Sequence, residues 1–287
     1  MINIYDKILR VSEQYRQFAC GESLITLYSC GLKNKYEEVW SDYNYIIYVV
    51  EGRKIWHTAH GSYDLQEGSC VLVKKGASIV EQFFDTEFCM ILFFITDELI
   101  YDVLKSKSGP VHKAAKKDDT VFPIENNATI DTFFKSMMLY FSASRDPDQS
   151  LLELKFRELI LTIADNPANN DLLIYFHSLL REPRAVSLQR VMEDNFYFNL
   201  SLEEFARLSS RSLSAFKRDF QRLYHTSPGK WLKEKRLNHS MHLLTNLGKS
   251  VSETAFEGGF KNTSHFSRAF RQRFGASPAS IKLKTAV

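Results

Sequence analysis

Cysteine is scarce in this sequence, and the few cysteines follow no cross-linking or ligand pattern. Four occur among the 287 residues, all in the first third and none in a C-x-x-C pair: Cys20, Cys30, Cys70 and Cys89. A chain of this length without paired or regularly spaced cysteines does not depend on a disulfide framework. It also shows no zinc-ligand spacing, so we expect reduced structural thiols.

Long apolar runs are also missing. The two most apolar segments, 43–50 and 88–95, are far shorter than the ~20 residues that a membrane-spanning helix needs. The N-terminal segment MINIYDKILR lacks the apolar core of a signal peptide. These features predict a soluble cytoplasmic protein without a membrane partner.

The first half of the chain has the pattern of a β-domain. Short apolar or β-branched runs separated by glycine-containing turns predict strands at 43–50, 54–59, 69–74, 78–84 and 88–95. Such spacing is typical of an antiparallel sandwich or barrel. The segment 62–80, SYDLQEGSCVLVKKGASIV, resembles the strand–turn–strand signature of a cupin-type jelly roll.

The histidines do not fit a metal-binding cupin. Cupin enzymes usually hold a metal through an H-x-H pair, a glutamate and a later histidine, whereas here only His57 and His60 are available. Their spacing of three places them on opposite faces of a continuous strand, and no suitable histidine follows Glu67. We expect no metal and no cofactor. A jelly roll of this kind can still bind a small-molecule effector or a protein, and the sequence leaves both open.

The middle of the chain has helical patterns at 97–107, 127–143, 148–164 and 170–181, with a polar, loop-like stretch at 106–119. The third helix carries a broad apolar stripe: Leu151, Leu152, Leu154, Phe156, Leu159, Ile160 and Ile163. Such a stripe fits pairing with a second copy of the chain as well as packing against the sheet. We therefore predict a sensor or interaction domain at 1–115 and a helical linker, a candidate for homodimer formation, at 116–183.

Charge separates the C-terminal part from the rest. Residues 184–287 contain 18 Lys and Arg against 8 Asp and Glu, a net charge of +10, whereas the remainder carries 19 against 26, a net charge of −7. A solvated basic face is the plain interpretation. A polyanion partner, nucleic acid above all, is the functional one.

A unit of about 50 residues occurs twice in this basic part. The copies align at three landmarks, at offsets of 49, 50 and 50 residues: Ala206 with Ala255, Phe220 with Phe270, and Ser227-Pro228 with Ser277-Pro278. Each unit predicts a short helix (201–208 and 250–257), a tight turn, and a longer aromatic helix (212–224 and 262–274). A connecting helix begins at Ser227-Pro228, where serine caps and proline takes the first position. This is helix-turn-helix anatomy.

The second long helix is aromatic on one side and cationic on the other. Phe266, Phe270 and Phe274 recur every four residues and therefore share a face. The cations and the histidine lie before and between them: Lys261, His265, Arg268, Arg271 and Arg273. An aromatic face that packs against the core leaves the polar face for the major groove, which is wide enough to admit a helix.

The region 187–284 resembles the AraC/XylS family of bacterial transcription regulators. The resemblance is carried by the GF-x5-F-x3-F-x3-FG-x-SP run from Gly259 to Pro278 and by Arg236-Leu237 and Leu243-Leu244 in the connecting helix. It implies an all-α domain, 184–287, with two helix-turn-helix subdomains joined by that helix, behind a cupin-like β jelly roll and a helical middle segment: an α+β chain overall. The helices at 148–181 are similar to those of the subgroup that controls type III secretion, whose partner is a protein.

Some positions depart from the family pattern. Thr254 stands where an apolar residue is usual, and Ser240 stands where alanine is usual. In the first unit, Ser209, Ser210 and Arg211 occupy the turn, where the family favours leucine, glycine and another apolar residue. The changes in this turn lead us to expect a first recognition helix that is held less rigidly or that contributes less to specificity.

The DNA-binding residues follow from this arrangement. In the second unit the base edges would be reached by Lys261, Asn262, Thr263, Ser264 and His265, with Arg268 one turn further on. The equivalent face of the first unit comprises Ser212, Ser214, Ala215, Arg218 and Arg222. Contacts to phosphate, which position without specifying, are expected from Lys217, Lys230, Arg271 and Arg273.

The sequence thus predicts a transcription regulator that binds double-stranded DNA sequence-specifically, with a recognition helix in each of two successive major grooves. We expect activation through RNA polymerase, and no enzymatic activity. Two alternatives stay open. One is a cupin-type metal-dependent enzyme with a basic tail, and the other is a regulator that acts mainly through protein contacts.

Overall fold

The computed structural model describes residues 1–10, 15–29, 34–58, 60–84, 87–105, 119–181 and 188–285. It divides into two compact units, Met1–Ala185 and Val186–Val287. The domain boundaries predicted at 115/116 and 183/184 lie outside the described residues, as do Cys30 and nearly all of the loop-like stretch at 106–119.

The described part of the first unit contains two β-sheets. The strands are β1 (Ile2–Asn3), β2 (Gln17–Cys20), β3 (Ser23–Ser29), β4 (Tyr36–Ser41), β5 (Asn44–Glu51), β6 (Arg53–Thr58), β7 (Gly61–Gln66), β8 (Cys70–Val73), β9 (Gly76–Gln82), β10 (Cys89–Ile95) and β11 (Val121–Pro123). One sheet has the order β1-β4-β9-β6-β7 and the other β11-β8-β5-β10-β3-β2. Neighbouring strands are antiparallel except β1 and β4. The five predicted strands are confirmed as β5, β6, β8, β9 and β10.

The six-stranded sheet is buried on both faces. Along β5, Tyr45, Ile47 and Val49 join a core with the other sheet, whereas Ile46 and Tyr48 join a core with the helices. Successive side chains of a strand point to opposite faces, so a doubly covered strand needs apolar residues at every position. This is why the segments around 43–50 and 88–95 are continuously apolar.

Five helices accompany the described sheets: α1 (Ile4–Arg10), α2 (Asp97–Leu104), α3 (Ala128–Ser142), α4 (Gln149–Asp165) and α5 (Asn170–Arg181). The four helices predicted between 97 and 181 are confirmed. Most of the predicted stripe of α4 is buried: Leu152, Phe156, Leu159, Ile160 and Ile163. Leu154 does not take part in this packing: it is 61% exposed and lies two residues from Leu152, toward the opposite side of the helix.

The second unit is all-α. Its helices are α6 (Leu188–Asn195), α7 (Leu202–Leu208), α8 (Leu213–Tyr224), α9 (Pro228–Thr245), α10 (Val251–Glu257), α11 (Thr263–Phe274) and α12 (Pro278–Thr285). The repeat is confirmed: α7 and α8 correspond to α10 and α11, and α9 connects them. Among the described helices of both units, none combines the length and apolar character that crossing a bilayer requires.

Candidate nucleic-acid interface

Each short helix of the repeat begins with a capping box. Ser201 Oγ accepts a hydrogen bond from the Glu204 N–H at 3.2 Å, while the Glu204 carboxylate accepts one from the Ser201 N–H at 2.6 Å. Ser250 and Glu253 repeat both bonds at 3.2 and 2.7 Å. The boxes satisfy N–H groups that a helix start otherwise leaves unpaired. Both boxes have the same S-x-x-E signal in the sequence.

The two turns share one hydrogen-bonding pattern despite their different sequences. Corresponding N–H groups donate to corresponding carbonyls: Ser210 to Arg207 at 2.8 Å and Arg211 to Ala206 at 2.9 Å in the first turn, Gly259 to Phe256 at 3.0 Å and Phe260 to Ala255 at 2.9 Å in the second. Ser210 and Gly259 both have left-handed backbones, with φ of 54° and 76°. The departures from the family pattern therefore leave the first corner intact.

The second turn needs glycine for reasons of space as well. A Cβ on Gly259 would lie 2.5 Å from the Tyr197 carbonyl oxygen, and one on Gly258 would lie 2.3 Å from Ser240 Oγ. In the first turn Ser209 takes the place of Gly258 and is buried, with its Oγ donating to the Ala206 carbonyl at 2.9 Å.

The aromatic faces of both long helices are buried. Phe266 and Phe270 are fully buried in a cluster with Leu237, Leu244 and Ala255, and the half-buried Phe274 packs against it. In the first unit Phe216 and Phe220 are fully buried. This confirms that the phenylalanines anchor α11, and it leaves the opposite face of each helix open to solvent.

The connecting helix α9 is fixed to the segment before α7 by Arg236. Its Nε donates to the Phe196 carbonyl at 2.5 Å, and its Nη2 donates to the Phe198 carbonyl at 2.7 Å. Burial lowers the pKa of this guanidinium to about 10. Both α8 and α11 pack against α9, so a fixed α9 holds the two long helices in one frame.

The predicted DNA-contacting residues share the solvent face of this frame. All are exposed except Ala215, which is half-buried: Ser212, Ser214, Lys217, Arg218 and Arg222 in the first unit, and Lys261, Asn262, Thr263, Ser264, His265, Arg268 and Arg271 in the second. The structure thus leaves both sets open to solvent, from the residues before each long helix to Arg222 and Arg271 in the C-terminal halves of α8 and α11. The last 30 residues, 258–287, contain no acidic residue.

Two of the predicted base-reading residues serve as helix caps. Asn262 Oδ1 accepts a hydrogen bond from the His265 N–H at 2.7 Å, and Ser212 Oγ accepts one from the Ala215 N–H at 3.3 Å. Bidentate recognition of adenine uses both the oxygen and the nitrogen of an asparagine. Asn262 would have to release its cap to read a base in that way.

Carboxylates engage several of the cations. Asp219, the one acidic residue of α8, lies 3.2 Å from Arg222 Nη2 and 3.5 Å from Arg218 Nε, and it accepts a hydrogen bond from Arg211 at 3.3 Å. In the second unit Arg273 lies 3.6 Å from Glu234 of α9. Asp219 was not among the predicted residues, although a lone acid in a cationic helix is visible in the sequence.

Comparison with known proteins agrees with this geometry. A helix-turn-helix domain family matches residues 205–283, and the family of the ExsA N-terminal regulatory domain matches residues 44–175. The virulence regulon transcriptional activator VirF of Yersinia enterocolitica is 26% identical over 82% of this chain and 87% of its own length. The HTH-type transcriptional regulator ExsA of Pseudomonas aeruginosa is 32% identical over 44% of this chain and 45% of its own length.

The chain belongs to the AraC family. It is a DNA-binding transcription regulator. The crystal structure of ToxT from Vibrio cholerae is 13% identical, with a TM-score of 0.38 over 91% of this chain and 98% of its own. The relatives of this AraC-family chain are transcription regulators, and transcription regulators are not enzymes.

The β-domain of this AraC-family protein shows how its histidines are used. His57 Nδ1 lies 2.8 Å from Ser62 Oγ, and His57 Nε2 lies 3.0 Å from Glu81 Oε2. His60 follows the end of β6 at Thr58, so the two histidines do not share a continuous strand. Within the described ranges, no three of His, Cys, Asp and Glu are grouped as metal ligands. Cys20, Cys70 and Cys89 are free thiols.

Proposed function

We propose that the chain inserts α8 and α11 into successive major grooves on one face of a DNA duplex. The observation that carries this proposal is the doubled helix-turn-helix, with matching corners and an exposed cationic face on each long helix. The connecting helix has 18 residues and is therefore about 27 Å long. That length suits a rigid spacer between grooves that recur about every 34 Å.

The contacts divide into three roles. Base edges are read by Arg218 and Arg222 with Ser214 and Ala215 in the first unit, and by Lys261, Thr263, Ser264, His265 and Arg268 in the second. Ser212 and Asn262 start the helices as caps, and Asn262 contributes its amide nitrogen to DNA. Phosphates are contacted by Lys217, Lys230, Arg271 and Arg273, which position the domain.

The regulatory outcome that we propose is activation through RNA polymerase, in the cytoplasm, where the DNA is. The support is that similar proteins, VirF among them, are named transcriptional activators. An effector would act at the β-domain, which the ExsA-type regulatory family matches. Its chemical class, small molecule or protein, stays open.

Homodimer formation has a candidate surface on α4. Leu154 and Leu161 are 61% and 42% exposed and lie seven residues apart, on one face. Arg157 and Glu158, both exposed, flank this seam on opposite sides. A parallel two-fold pairing would place each Arg157 beside the Glu158 of the second copy, whereas an antiparallel pairing would place like charges together. We therefore propose a parallel pair.

Charge reversal tests this pairing. Arg157→Glu should shift the full chain toward the monomer in sedimentation equilibrium, and Arg157→Glu with Glu158→Arg should restore the dimer. A wild-type chain that is monomeric at high concentration, or a double variant no better than the single one, would refute the pairing without bearing on DNA binding.

Selection from a random-sequence duplex pool tests the DNA-binding proposal. The full chain should enrich a defined sequence and bind it with an affinity that falls steeply with salt, as phosphate contacts require. Arg218→Ala and Arg268→Ala should each reduce discrimination at a different part of the selected sequence, by the ~1–3 kcal/mol of a good base contact. Enrichment of no sequence would contradict the proposal.

A further inference from the structure

The two units use different residues where the turn meets the long helix. In the second unit the turn residue Phe260 and the helix residue Ala269 both belong to the apolar cluster. The repeat offsets place Arg211 and Asp219 at those two positions in the first unit. Arg211 Nε donates to Asp219 Oδ2 at 3.3 Å, and its Nη1 donates to the Ser209 carbonyl at 2.6 Å. An ion pair between turn and helix thus stands where the second unit has two members of its apolar cluster.

The ion pair also changes the DNA-facing surface. Besides Arg211, the Asp219 carboxylate holds Arg222 at 3.2 Å and Arg218 at 3.5 Å, and these two side chains are 79% and 73% exposed. Arg268, the counterpart of Arg218 in the second unit, has Ala269 beside it where Arg218 has Asp219. It has no ion-pair partner among the described residues. The first recognition helix therefore presents tethered guanidinium groups, and the second an untethered one.

The Asp219 carboxyl has a lowered pKa and is ionised at neutral pH. Partial burial would raise the pKa of its carboxyl, but the hydrogen bond from Arg211 and the charges of Arg222, Arg218 and Arg211 outweigh burial and lower it. A negative charge among three arginines restricts the rotamers that their side chains adopt. It also reduces the attraction of this helix for phosphate, which is independent of sequence.

We propose that Asp219 is a positioning residue for base reading by the first unit: it orients Arg218 and Arg222 toward the groove while its bond to Arg211 ties α8 to the turn. This inference rests on the proposed function. Side chains that are already oriented lose less rotamer freedom on binding than free ones. Asp219 therefore lowers the affinity of the first unit for DNA of any sequence and raises its discrimination between sequences.

Placing the second unit's residues at positions 211 and 219 distinguishes a role of Asp219 in positioning from a role in folding. Arg211→Phe with Asp219→Ala gives the first unit the apolar residues of the second, so the double variant should keep the melting temperature of the wild type. It should lose the tether, while its net charge and therefore its affinity for random duplex should stay close to those of the wild type. The preference for the selected duplex over a random duplex of equal length should fall about fivefold or more, the lower end of one good base contact. Asp219→Glu, which keeps the charge, should retain most of the preference.

The outcomes are distinct. A double variant with wild-type preference would overturn the proposal, because Asp219 would then serve only the fold. Equal loss of binding to both duplexes in Asp219→Asn, restored by the double variant, would overturn it in the same way. A wild-type chain that selects no sequence would overturn the proposed function itself, and this inference with it.

Discussion

At the scale of single residues, the left-handed corner positions of the two turns make a matched pair. Gly259 has φ of 76° and no room for a Cβ, whereas Ser210 adopts φ of 54° with its side chain exposed. The same backbone geometry is therefore reached once with glycine under close packing and once with serine at a steric cost. Substitution should therefore change the free energy of unfolding in opposite directions at the two positions.

Gly259→Ala should lower the free energy of unfolding by about 3 kcal/mol, because it adds both backbone strain and a clash with the Tyr197 carbonyl. Ser210→Gly should be neutral or stabilising by up to about 1 kcal/mol, since it relieves the left-handed strain of a residue with a Cβ. Urea unfolding followed by circular dichroism measures both. A loss of stability in Ser210→Gly as large as that in Gly259→Ala would contradict this account of strain at the first corner.

Thr254 provides a second prediction at this scale. Its side chain is fully buried in α10, and its Oγ1 has no hydrogen-bond partner among the described residues. A buried hydroxyl without a partner loses its water without compensation. Thr254→Val, which has the same shape, should therefore raise the free energy of unfolding by about 1 kcal/mol. A loss of stability would mean that the hydroxyl is hydrogen-bonded after all.

At the scale of elements, α11 separates folding from binding along its two faces. Phe270 is fully buried, whereas its neighbour Arg271 is exposed. Phe270→Ala should lower the free energy of unfolding by about 3–5 kcal/mol, as large-to-small changes in a core do. Arg271→Ala should leave the melting temperature unchanged, and it should reduce the slope of log affinity against log salt by about one. Loss of stability in the second variant would contradict the assignment.

The connecting helix should make stability depend on pH. Burial, helped by the nearby His242, lowers the pKa of His239 below its ordinary 6.5, against the opposing pull of Glu257. The unfolded chain then binds more protons than the folded one near that pH. The contribution of His239 is therefore complete above pH 6.5 and is lost as the pH falls below it. His239→Gln should flatten this part of the pH profile in urea unfolding; an unaltered profile would contradict the account.

Most elements could be predicted from the sequence because their signals are local. Ser201-x-x-Glu204 and Ser227-Pro228 mark helix starts without reference to the rest of the fold. Among the strands before residue 42, β4 was missed because charged residues interrupt it, Glu37 and Glu38. The role of Asp219 was also missed, because it depends on Arg211 lying across the turn, eight residues away.

At the scale of the whole molecule, charge and architecture divide at the same place. The net charge of +10 falls on residues 184–287, and the second compact unit begins at Val186. The basic part carries both helix-turn-helix copies, whereas the acidic remainder carries the sheets. Family membership and the DNA-binding function could be predicted from the C-terminal hundred residues alone. The use of individual DNA-contacting side chains could not, because caps and ion pairs engage Asn262, Ser212 and Arg218.

Hydroxyl-radical footprinting of the full chain on its selected duplex tests the central claim most directly. Two recognition helices held by one rigid connector should protect two segments on one face of the duplex, with centres about one helical turn, or ~10.5 base pairs, apart. Arg218→Ala should weaken protection of one segment, and Arg268→Ala should weaken protection of the other. A single protected segment that responds only to Arg268→Ala would contradict the account, because the first unit would then take no part in reading the DNA.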